Sequence, residues 1–156
     1  MRYRLLNIYY RKGCYDLSAG LLVRCCSAPG AFRRKNMDIE TLRNYCLKKK
    51  AVTEELPFGP DTLVFKVKGK VFLLTSLDAE VLQFNVKCDP DKAVELRERY
   101  DAVLPGYHMN KKHWNMVIVD GRLSQQLLKE MIDDSYKLVI ESLPKKTRDE
   151  LKKGGQ

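Results

Sequence analysis

With 156 residues, a net charge of +9 and a pI near 9.3, the chain fits one domain that buries roughly two-thirds of its unfolded surface without metal or disulfide staples. The basic balance says little about partners, because residues 1–36 hold eight of the 29 lysines and arginines and only one of the 20 acids, Asp16, leaving 21 bases against 19 acids, a net of +2, for residues 37–156. Five irregularly spaced cysteines (Cys14, Cys25, Cys26, Cys46, Cys88) argue against a secreted disulfide framework, and no apolar run approaches the roughly 18 residues of a membrane helix, so a reducing, cytoplasmic setting is expected.

Residues 1–36 show no sustained hydrophobic period, and their apolar stretch around Leu21 to Val23 is too short for a signal peptide and is interrupted by Arg24. The Arg-rich, acid-poor composition superficially resembles a transit peptide. Met37 precedes the first well-formed helix pattern, so the extension reads as sequence upstream of the start or a disordered tail in preference to a basic arm. From Asp38 the pattern sharpens. Asp38 can cap a helix with Ile39, Leu42 and Cys46 on its buried stripe, ending near Lys48, Lys49 and Lys50, where cations suit the dipole.

A loop through Pro57 and Pro60 leads to a first hairpin, where Leu63, Phe65 and Val67 alternate, Gly69 turns the chain, and Phe72 and Leu74 return to the same face. A third strand places Phe84, Val86 and Cys88 inward and Gln83, Asn85 and Lys87 outward. Asp89 followed by Pro90 starts a second helix with Ala93, Leu96 and Tyr100 buried, closed by Pro105 and Gly106. The stretch from Tyr107 leads into a second hairpin whose return strand runs from Trp114. After Asp120 and Gly121, Ser124 can cap a long helix that turns Leu128, Ile132, Ser135 and Val139 to one side and Lys129, Asp133 and Lys137 to the other, ending at Pro144. Residues 145–156 read as a charged, flexible tail, leaving residues 37–144 as the domain. The order is helix, three strands, helix, two strands, helix: an α+β fold with a largely antiparallel sheet and helices packed on one face.

Several strings resemble the MmcQ/YjbR family of small bacterial proteins over about Asp38 to Pro144. They are Glu54-Glu55-Leu56-Pro57-Phe58-Gly59, the hairpin from Val64 to Phe72, the join Lys87-Cys88-Asp89-Pro90, and Pro105-Gly106-Tyr107-His108-Met109-Asn110-Lys111-Lys112-His113-Trp114. The resemblance implies a fold like that of secretion chaperones and a DNA-binding role through two hairpin wings. Residues 1–36 lie outside it.

The residues themselves admit three functions. For DNA, Lys111 and Lys112 at a loop tip would contact phosphate beside Tyr107, His108, His113 and Trp114, and Lys66, Lys68 and Lys70 would arm the first wing. With +2 on the body, binding must rest on such a local cluster and is expected to be weak and salt-sensitive. Against this, an aromatic at the start of a strand usually packs in a core, so Trp114 is expected to be buried, and strand lysines also discourage edge pairing. The alternative is a protein-binding or dimerising module, using an outer apolar patch of Val64, Val71 and Leu73 opposite Phe65 and Phe72. An enzyme would have to rely on Glu54, Glu55 and Asp61 in the Pro-rich loop. No paired nucleophile, phosphate-cradling loop or zinc motif accompanies them, so no catalysis and no cofactor are expected. His108 and His113, five apart, suit neither one helix face nor one strand face, and no metal site is expected.

Overall fold

A computed structural model describes residues 37–153. The readings that fall on residues 1–36, and on 154–156 at the other terminus, lie outside the described residues. In chain order the elements are α1 (Ile39–Leu47), β1 (Val52–Glu55), β2 (Thr62–Val67), β3 (Lys70–Ser76), β4 (Gln83–Lys87), α2 (Pro90–Arg99), β5 (Val103–Pro105), β6 (Trp114–Ile118), α3 (Gln125–Glu141) and α4 (Lys145–Lys153). The strands form one antiparallel sheet in the order β1-β2-β3-β4-β6-β5. No helix among the described residues is long and apolar enough to cross a membrane.

The three anticipated helix starts form as their chemistry dictates. Asp38 accepts from the Thr41 amide, Asp89 from Asp91, and Ser124 from Leu127, each cap contributing about 1 kcal/mol. Leu42 and Cys46 of α1, Ala93 and Leu96 of α2, and Leu128, Met131, Ile132 and Val139 of α3 join one core with Leu63, Phe65, Val67, Leu73, Phe84, Val86, Val103 and Val117 of the sheet. Those sheet residues share one face by register, so the helices cover that face. The other face carries a row paired strand by strand across the sheet: Glu55, Val64, Leu74, Asn85, Met116 and Leu104.

Two elements go beyond the sequence reading. β1 adds a sixth strand at the edge, and its Val52 packs on the core while Thr53 and Glu55 stay exposed. The segment read as a tail contains α4, whose Leu151 packs against the core. The second hairpin is also displaced: its first strand is Val103–Pro105, and Tyr107–His113 is the loop.

The first hairpin corrects the outer-patch expectation. Lys68 and Gly69 both have positive φ, 48° and 82°, the signature of a two-residue turn whose twist matches the strands. Phe65 then pairs with Leu73 while Lys66 pairs with Val71, so β3 contains one extra residue, Phe72. This bulge turns both Phe72 and Leu73 into the core and moves Leu74 to the opposite face, half-buried. Val64 does lie on the face away from the core cluster, yet it is fully buried, and Val71 is half-buried. Leu73 therefore leaves the expected patch because the bulge breaks the two-residue period, while Val64 and Val71 keep the outer face as expected but are buried and half-buried, so the three form no exposed patch.

The Phe72 carbonyl accepts a 2.5 Å hydrogen bond from Ser135 Oγ, which in turn accepts from the Lys87 amide at 2.9 Å. Ser135, placed by sequence on the apolar stripe, is a fully buried hydroxyl on α3 that bridges β3 and β4 just past the last pair of their ladder, Leu73 and Val86.

Polar contacts fasten α1 to α3. The Tyr45 hydroxyl donates to both Asp133 oxygens at 3.0 Å, Lys49 pairs with the same carboxylate and stands 4.5 Å over the Tyr45 ring, and Tyr136 donates to the Lys50 carbonyl at 2.8 Å. Burial first, then the bond to Asp133, push the Tyr45 phenol up to about 12. A phenol whose folded value exceeds its unfolded value near 10 stabilises the fold fully below about pH 10 and loses that contribution as pH rises through about 12. Denaturant midpoints from pH 8 to 12 should therefore show wild type more stable than Tyr45→Phe by a constant margin up to about pH 10, with the margin closing above it. A margin that stays constant to the end of the series would refute the assignment.

Candidate nucleic-acid interface

The two hairpin ends share one end of the sheet. β3 and β4 are antiparallel with Leu73 opposite Val86, so Lys87, the last residue of β4, lies toward the Lys68–Gly69 turn. Lys87 pairs with Trp114, the first residue of β6, which brings the Tyr107–His113 loop to that same end. Strands β2 to β6 and the two hairpin loops at this end contain six lysines and no Asp or Glu, while the neighbouring edge strand β1 carries Glu54 and Glu55. Asp89, next in sequence, caps α2.

The lysines of the first wing have different partners. Lys66 pairs with Glu55 of β1, and Lys70 donates to the Ser142 carbonyl at 2.7 Å, closing the end of α3. Lys68 is exposed on the turn. On the second wing Lys111 and Lys112 are exposed, and Lys87 is half-buried on the face opposite the core. Among the described residues Lys68, Lys87, Lys111 and Lys112 have no acidic partner within ion-pair distance. Sequence reading assigned Lys87 only to the outward phase of a strand. Its register opposite Trp114 is what makes it part of the site.

The loop is held in a defined shape. Gly106 donates to the Trp114 carbonyl at 2.9 Å, and a Cβ at this buried glycine would lie 2.8 Å from Trp114 Cβ, so a side chain here would collide with the opposite strand. Asn110 forms a turn by accepting the Lys112 amide on its side chain and the His113 amide on its carbonyl. The Cys88 amide donates to the His113 carbonyl at 2.7 Å. His108 has φ +55°, a left-handed conformation that costs a non-glycine residue about 1–2 kcal/mol and needs a surrounding frame to hold it.

Arg97 of α2, which sequence reading missed, supplies much of that frame. Its Nε donates to Asn115 Oδ1 at 2.8 Å, and its Nη2 donates to the Trp114 carbonyl at 3.1 Å and to the Lys111 carbonyl. One planar guanidinium thus clamps both ends of the loop segment from Lys111 to Asn115. Asn115 itself is fully buried on the core side, and its Nδ2 finds no protein partner.

Trp114 is half-buried, outside the core cluster and on the face opposite the core with Met116 and Ile118. The expected core packing is not what the fold provides, because the inward phase of β6 belongs to Asn115 and Val117. Tyr107 is 69% exposed, and its ring centroid lies 4.0 Å from that of His108 at 57°. A cleft of about 550 Å³ opens beside them, lined by Leu104, Pro105, Gly106, Tyr107, His108, Met109, Lys111 and Met116.

The acidic loop does not converge. Glu54 faces the helices, where Arg43 holds it with two hydrogen bonds and keeps its carboxyl below the usual range, while Glu55 points to the opposite face and pairs with Lys66. Asp61 is exposed, and its carbonyl accepts the Leu77 amide at 2.7 Å. Among the described residues no three His, Cys, Asp or Glu side chains stand where they could share a metal ion. His108 is exposed and His113 half-buried.

An antiparallel six-stranded sheet, covered by helices on one face and ending in two lysine-bearing hairpins, defines a small winged α+β domain. The chain belongs to the YjbR family, whose model matches residues 47–138. The uncharacterized protein YbdF of Escherichia coli O157:H7 is 39% identical over 115 residues, covering 74% of this chain and 94% of YbdF. The uncharacterized protein YjbR of Escherichia coli K12 is 28% identical over 112 residues, covering 72% and 95%. Among solved structures, the Deinococcus radiodurans protein DR2400, with a DUF419 domain, superposes with a TM-score of 0.70 at 38% identity, covering 72% of this chain and 86% of that one. A Pseudomonas syringae protein superposes at 0.58 with 28% identity, covering 65% and 98%.

Proposed function

We propose that this protein binds DNA weakly along the wing end of its sheet and is a binding protein, not an enzyme, of the cytoplasm. The observation that carries the reading is the convergence of Lys68, Lys87, Lys111 and Lys112, none of them ion-paired among the described residues, on an end where strands β2 to β6 and their connecting loops at that end contain no carboxylate. The separated positions of Glu54 and Glu55 support the non-enzymatic half, and the free, buried Cys46 and Cys88 suit a reducing compartment.

Four phosphate contacts predict a slope of about −3 to −4 for log K against log salt on duplex DNA, with Kd of about 10⁻⁴–10⁻⁶ M near physiological salt. Fluorescence anisotropy of labelled duplex should show that slope for the full chain and for residues 37–156, reduced by about one for each of Lys87→Ala, Lys111→Ala and Lys112→Ala. Binding seen only with the full chain, and indifferent to these lysines, would assign it to the basic extension and overturn the wing reading.

A second reading, protein binding, draws support from the opposite end of the sheet. There the Asp61–Leu77 backbone bond joins two loops that expose Leu56, Phe58, Leu77 and Val81.

A further inference from the structure

We infer that the preferred ligand is a single strand, with one unpaired base seated in the cleft beside Tyr107; this rests on the nucleic-acid reading above. The cleft lies where β5 and β6 pair on the face opposite the core, with Leu104 opposite Met116 as its floor. Its volume of about 550 Å³ exceeds what phosphate contact requires and falls in the range of small-ligand sites. The lining is chemically suited to a flat π-system. Tyr107 presents a ring that is 69% exposed, His108 meets that ring at 57° and forms an angled wall, and Met109 and Met116 offer polarizable thioethers.

Charge complementarity names the rest of the occupant. Lys111 lines the cleft itself and Lys112 follows it on the exposed loop, so a base against Tyr107 would have its phosphate within the reach of cations. A paired base in a duplex offers only its edge, because both its faces are stacked on neighbours. Only an unpaired base can lay a face on Tyr107, and stacking of this kind is tolerant of sequence. The loop is framed to keep the cleft open before any ligand arrives, since Arg97, Asn110 and the Gly106–Trp114 bond fix its backbone independently of the rings. Tyr107 itself is exposed, so its removal leaves the core untouched.

The test measures anisotropy with the full chain and three labelled probes of equal length: oligothymidylate, its duplex with oligoadenylate, and a strand whose sugars carry no bases. Oligothymidylate should bind about tenfold more tightly than the other two, and Tyr107→Ala should remove most of that advantage while leaving the duplex and base-free strand within about twofold. Equal affinity for all three probes, unchanged by Tyr107→Ala, would overturn the base cleft and leave phosphate binding by the lysines standing. No binding of any probe would overturn both readings.

Discussion

Ser135→Ala is expected to destabilise the fold by about 2–4 kcal/mol. The hydroxyl is fully buried and is the partner of two main-chain groups, the Phe72 carbonyl and the Lys87 amide. The β3–β4 pairing ends at Leu73 opposite Val86, so both groups lie one residue past the last ladder pair. Each buried group left without a partner costs about 1–3 kcal/mol. Alanine is the better helix former by about 0.5 kcal/mol, which offsets only a fraction. Urea or guanidinium unfolding of the full chain measures the loss. A drop below about 0.5 kcal/mol would mean that the Phe72 carbonyl and the Lys87 amide find other partners, and the bridging role of Ser135 would be wrong.

Arg97→Ala should cost about 2–3 kcal/mol and, more informatively, should release the second wing. Hydrogen bonds from a charged donor are worth about 1.5–3 kcal/mol, and the substitution leaves the side-chain oxygen of fully buried Asn115 without its donor. The carbonyls of Lys111 and Trp114 lose the same clamp. Hydrogen exchange at the Lys112 and His113 amides, both bonded inside the loop, should accelerate well beyond the change at core strands. Arg97→Lys should rescue little, since one ammonium cannot span the planar fork that reaches Asn115 and two carbonyls. Unchanged exchange in the loop would show that Asn110 and Gly106 suffice to hold it.

These two side chains also mark where sequence stops being informative. Caps, proline at a first helical turn and clean alternation are local signals, and Asp38, Asp89, Ser124 and the Phe84–Val86–Cys88 strand were legible for that reason. β1 was not, because Val-Thr-Glu-Glu is short and mostly polar, and its pairing with β2 is a tertiary fact. α4 hid behind its charge, with Leu151 as its contact to the core. The bulge at Phe72 left no mark that a two-residue period could detect, and it moved Leu73 and Leu74 to faces opposite to those expected. Of the candidate site, the loop from Tyr107 to Trp114 and its lysines could be read from composition. The engagement of Lys66 and Lys70 elsewhere, the recruitment of Lys87 and the clamp from Arg97 depend on partners 11, 72, 27 and 14 to 18 residues away, distances that no local pattern encodes.

The short edge strand β5 bears on how this protein behaves at high concentration. Ala102 and Gly106 turn their bonding groups toward β6, so by alternation Val103 and Pro105 face outward. Val103 gives its amide to the Tyr100 carbonyl at 2.9 Å, and Pro105 has none to give. The margin of the sheet beside the cleft therefore offers no amide donor to an arriving strand. An arriving strand would find only carbonyl acceptors along this border, so the pairing of copies through it loses half of its ladder bonds, which protects an edge flanked by the exposed apolar surface of Leu104 and Tyr107.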